Sequence, residues 1–107
     1  MDKQQKQNER DGGAREMGAE NGRTRHGGRM ISEDRFHASF GHEHHFRIGH
    51  RPDNRQFVYG GYTFEYVEGW PADWGYADVF YIDYIDDDYY LCDLDHPGVR
   101  LLVIVID

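Results

Sequence analysis

From residue 56 onward the apolar and polar positions fall into short alternating runs, the pattern that half-buried strands carry. Tyr62, Phe64 and Tyr66 point one way and Thr63, Glu65 and Val67 the other, which makes the aromatic side the expected core face of one strand. Residues 56–59 supply its partner across Gly60-Gly61, because both central positions of a type I′ turn need positive φ. Two further aromatic, β-branched runs, residues 79–85 and 89–91, flank Asp86, Asp87 and Asp88 and predict a second hairpin with a solvated acidic turn. Its neighbours in sequence place that hairpin in the middle of the sheet.

The last run, residues 99–106, is different. Leu101, Val103 and Val105 face opposite to Leu102, Ile104 and Ile106, so both sides are apolar. Such a strand is buried on both faces or covered by another chain. Either the sheet curls into a barrel with loops or the first segment packed outside, or Leu102, Ile104 and Ile106 form an oligomer interface through which the chain self-assembles. Left exposed, an uncharged run of this kind is an aggregation hazard. The fold class expected is all-β and mainly antiparallel: a five- or six-stranded meander or partly closed barrel, occupying residues 35–107.

Upstream the pattern fades. Residues 1–34 contain no Phe, Tyr or Trp, and Met17, Met30 and Ile31 are the large apolar side chains after Met1. Their burial does not offset an ordering cost of about 1 to 2 kcal/mol per residue, so this segment is expected to be a disordered polar tail. Residues 35–55 hold five of the seven histidines and three phenylalanines. Phe36, Phe40 and Phe46 anchor this stretch to the core in the expected fold, with residues 45–48 as a short strand and a turn at Pro52. Residues 69–76 connect the hairpins and carry Trp70, Trp74 and Tyr76. One reading is a loop that plugs the end of the sheet; the other is a stacking platform for a ligand or a proline-rich partner.

Charge narrows the partners. The chain carries −8 overall, but residues 56–107 hold Arg100 alone against eleven Asp and Glu. A surface of that sign repels phosphate backbones, so nucleic acid is not an expected partner, whereas cationic peptides, metal ions and uncharged ligands are compatible with it. The lone Cys92 allows no intrachain disulfide and reads as a small buried hydrophobe rather than a nucleophile. No apolar run approaches the roughly twenty residues of a membrane-spanning helix. The opening residues lack the apolar core of a secretory signal, which implies a cytoplasmic protein unless a signal has been removed.

The segment RFHASFGHEHHFRI, the strand pair around YGGY, the WPADW loop, the hairpin DVFYIDY and the PGVR strand together resemble a group of small bacterial proteins sharing this layout. The likeness spans roughly residues 35–106. Members of that group are typically exported, with a polar spacer before the domain, so the resemblance implies these domain limits and an envelope location, and no assigned activity.

The chemically suggestive feature is the histidine cluster His42, His44, His45 and His50, with His37 upstream. On an extended chain His42 and His44 would share a face about 6.5 to 7 Å apart, within reach of one zinc, copper or nickel ion. Asp83 or Asp93 could complete such a set. The competing reading is a polar loop whose histidines hydrogen-bond to the acidic sheet. No nucleophile elbow, phosphate-cradling loop or H-E-x-x-H helix is present. The function expected is a non-catalytic binding module that engages a protein partner or itself, with a histidine metal site as the alternative.

Overall fold

In the computed structural model, which describes residues 22–107, the alternating runs become five strands of one antiparallel sheet. These are β1 (Gln56–Tyr59), β2 (Tyr62–Tyr66), β3 (Phe80–Ile85), β4 (Asp88–Asp93) and β5 (Arg100–Val105). The sheet curls into a half-barrel. Both hairpins form where the turn chemistry requires them. Gly60 and Gly61 have φ of 64° and 86°, and Asp86 and Asp87 reach 52° and 68°, the left-handed region that aspartate tolerates better than most residues. The third acid of that cluster is a correction: Asp88 lies inside β4 and is fully buried, so the solvated turn comprises Asp86 and Asp87.

The order β1-β2-β5-β4-β3 gives the middle of the sheet to β5 and not to the β3–β4 hairpin, which forms one edge. The physical reason lies in side-chain pattern. Each hairpin has one aromatic face and one mixed face, whereas β5 is apolar on both and gains most from a position where its neighbours shield it. It pairs with β2 through Phe64↔Val105 and Tyr66↔Val103, and with β4 through Tyr89↔Val103 and Leu91↔Leu101. Beyond β2 the Val67 N–H still donates to Leu102 O at 3.2 Å, and the side chain of Glu68 completes the pairing, its Oε1 accepting the Leu102 N–H at 3.1 Å. The outer edge of β3 is also covered, because Phe46 and Phe80 exchange backbone hydrogen bonds of 2.9 and 2.8 Å. That single bridge is all that remains of the strand expected at residues 45–48.

The core fills the concave face. Phe57, Phe64, Tyr89, Leu91, Leu101, Val103 and Val105 meet Phe40, Trp74 and Phe80 there, each large side chain contributing about 1.5 to 3 kcal/mol through burial. Phe36 stands on, and Phe40 caps the end of, a helix that the alternation did not reveal, α1 (Glu33–Ser39), started by Ser32, whose hydroxyl accepts the Arg35 N–H at 3.3 Å. At seven residues it is too short for a readable apolar period.

The expected tail of residues 1–34 divides. Residues 1–21 lie outside the described residues, but residues 22–34 pack on the sheet. Gly28 lies against β5 so closely that a Cβ there would sit 2.8 Å from Ile104 Cβ and from the Val105 nitrogen. The Arg29 N–H donates to Val105 O at 3.0 Å, and the Ile31 N–H donates to the Tyr89 hydroxyl at 2.8 Å. Arg25 Nε and the His26 N–H donate to the Asp88 carboxylate at 3.1 and 3.0 Å, with His26 Nδ1 at 2.7 Å. This strap is the outer cover that β5 demanded. Composition hid it because backbone and aspartate contacts, rather than bulky side chains, hold most of it down.

Candidate functional site

The convex side of the sheet carries a hollow of about 400 Å³ over β3, β4 and the start of β5. Strand alternation sets its floor: Tyr81 and Asp83 on β3 stand beside Cys92 on β4, and Arg100 enters from β5 opposite Cys92. The Arg100 guanidinium lies over the Tyr90 ring at 4.6 Å, an arrangement that helps to fix a long cationic side chain. One rim is His42, whose ring meets Tyr81 edge-on at 5.0 Å. The other is the turn containing Leu94, Pro97, Gly98 and Val99.

The thiol in the floor is a poor nucleophile. Burial pushes Cys92 up to about 11, so it stays protonated at neutral pH, in keeping with the sequence reading of a packed, inert cysteine.

At the end of the hollow, Asp93 joins a second group. Its Oδ1 accepts the Asp95 N–H at 2.8 Å, while its Oδ2 has no donor among the described residues although Asp93 is only 2% exposed. Asp78 Oδ2 accepts the Gly75 N–H at 2.9 Å and stands 4.0 Å from His96 Nε2. One ligand atom from each of Asp78, Asp93 and His96 falls within 4.8 Å of the other two. The antiparallel ladder explains the meeting: Phe80 lies opposite Asp93, the Leu94 N–H donates to Val79 O at 3.0 Å, and Asp78 follows just past the strand end. The two carboxyls polarise each other's ionisation. Desolvation, and then the contact with Asp78, push Asp93 up to about 6, while that same contact and the Gly75 N–H lower Asp78.

The histidines foreseen as ligands do not form one set: the rings of His42 and His45 lie 6.1 Å apart beside Tyr81, while His44 and His50 have other surroundings. Residues 41–44 turn instead of extending, with the His44 N–H donating to Gly41 O at 3.0 Å, so His42 and His44 no longer share a strand face. His44 Nε2 contacts His37 O at 3.1 Å, and His45 Nε2 contacts His42 O at 2.8 Å. His50 borders a separate hollow of about 330 Å³ beside β1. Among the described residues, the converging ligand set is Asp78, Asp93 and His96, and it contains none of the four cluster histidines. Its sequence signal was only an aspartate three residues before a histidine in a Pro-Gly turn, too common a pattern to single out.

Trp70, Trp74 and Tyr76 pack against one another and the sheet, with Trp70 and Tyr76 half-buried. Trp74 is buried, and Trp70 packs on Tyr66, Tyr76 and Phe80 with ring centroids 5.5, 5.1 and 5.8 Å away. The expected oligomer face is also taken up within the chain: Leu102 is 6% exposed and Ile104 lies under Gly28, leaving Ile106 at 38%. Both edges of β5 are paired, so it offers no edge for adding a strand from another copy.

No family, no curated protein and no solved structure was found to match this chain.

Proposed function

We propose that this protein is a non-catalytic binding module and that the hollow over β3, β4 and β5 docks a protein partner. The observation that carries the reading is the hollow's rim. Leu94 and Val99, 37% and 49% exposed, flank a floor that offers Arg100, Tyr81 and Asp83. Apolar anchors beside an aromatic and an arginine are the composition that concentrates binding energy in protein interfaces. The floor sits on paired strands, so the partner meets a preformed surface. A net charge of −8 draws in a partner segment that carries lysine or arginine.

A photo-crosslinking side chain at Val99 tests this, with the same group at Val58, on the far edge strand, as control. The Val99 position is expected to capture one dominant protein. Once purified, that protein should bind the untreated chain, lose about tenfold in affinity to Arg100→Ala, which removes the side chain stacked on Tyr90, and weaken as salt rises. Equal capture from Val58, or full affinity for Arg100→Ala, would overturn the reading.

A further inference from the structure

We propose that Asp78, Asp93 and His96 bind one divalent cation of the zinc class where the β4–β5 turn meets the tryptophan loop. The inference is independent of what the hollow docks.

The observation that calls for a ligand is Asp93 Oδ2, an oxygen on a residue 2% exposed that has no donor among the described residues, on a carboxyl that meets another carboxyl and an imidazole. A buried acceptor without a partner is costly, and a second carboxylate at the same place adds repulsion. A divalent cation resolves both problems, since two carboxylates and a neutral imidazole give a centre of zero net charge.

The three donors are set by the backbone. Asp78 is held by the Gly75 N–H, and the two approach so closely that a Cβ on Gly75 would stand 2.9 Å from Asp78 Oδ1. Asp93 is held through its other oxygen by Asp95, which leaves Oδ2 free to ligate. His96 closes the same turn, its N–H donating to Asp93 O at 3.1 Å. Two ligands therefore come from one tight turn and the third from the loop that the β3–β4 ladder brings alongside.

Donor chemistry selects the ion. Imidazole with carboxylate suits zinc and its neighbours, whereas magnesium and calcium prefer all-oxygen shells. Ligand atoms on a tetrahedral zinc stand about 3.3 Å apart, so the 4.0 Å between His96 Nε2 and Asp78 Oδ2 closes with a small side-chain rotation. Both of those side chains are partly exposed and have room to make it. Three protein ligands leave a fourth position for water, the arrangement of an open site.

Calorimetry and thermal melting of the untagged full chain with zinc chloride decide the matter. One zinc per chain should bind, raising the melting temperature by about 10 °C at a hundredfold excess over Kd. Asp93→Asn, Asp78→Asn and His96→Gln should each weaken zinc by about 100-fold. The last two alter partly exposed loop side chains and keep the test valid if Asp93→Asn does not fold. The double variant His42→Ala with His44→Ala should bind as the parent does, and magnesium should not compete. No heat and no melting shift with zinc would overturn the proposal, leaving two carboxyls that share a proton. So would unchanged affinity in both Asp78→Asn and His96→Gln, loss of binding in the His42 and His44 double variant, or equal affinity for magnesium.

Discussion

Asp88 shows how one side chain determines where a whole segment lies. It is completely buried at the first position of β4, and its carboxylate is satisfied by Arg25 and His26, more than sixty positions earlier in the chain. A buried carboxylate is tolerated only when its oxygens are engaged, so Asp88 and the strap stabilise each other. Asp88→Ala is expected to cost about 2 to 3 kcal/mol in chemical denaturation, since it removes charge-assisted bonds while Arg25 and His26 regain water. A loss below about 0.5 kcal/mol would show that the strap is held without it. Residues of this kind were hard to read in the sequence: Asp86, Asp87 and Asp88 look alike, and only the strand register determines which of them turns inward.

At the scale of elements, the hairpins were legible and the helix and strap were not. Gly60-Gly61 and the alternation from Tyr62 to Tyr66 state their structure locally, because turn geometry and a single buried face are short-range properties. The strap owes its place to contacts with β4 and β5, so its polar, glycine-rich composition reads as solvated chain. Gly28 makes this testable, since it permits the strap's close approach to Ile104 and the Val105 backbone. Gly28→Ala should destabilise the protein by about 1 to 3 kcal/mol through overpacking, and hydrogen exchange at the Arg29 amide should accelerate more than at the Leu91 amide. Equal acceleration at both would place the damage in the sheet as a whole. The histidine reading also turned on this scale. The spacing of His42 and His44 assumed an extended chain, and the turn at residues 41–44 removed the premise.

For the whole molecule, the acidic charge and the half-barrel were both readable, while the order of strands was not, since pairing partners distant in sequence leave no local mark. The core also sets a limit at alkaline pH. Burial pushes Tyr84 and Tyr89 up to about 12 from the ordinary 10, with Asp87 adding to the effect at Tyr84. Between those values the folded protein binds more protons than the unfolded chain, so their contribution to stability is complete below pH 10 and is lost as the pH rises toward 12. Denaturation midpoints measured from pH 8 to 12 should therefore fall above pH 10, and a flat profile would mean that neither phenol is sheltered. The position of β5 has a further consequence, which concerns assembly in time. Each hairpin closes on residues adjacent in the chain, but within the sheet the two are joined by the strand that follows both. The order of synthesis is thus the reverse of the order of dependence: a ribosome delivers two half-finished aromatic surfaces first and the piece that unites them last. Until it arrives, the chain must keep those surfaces from other partners.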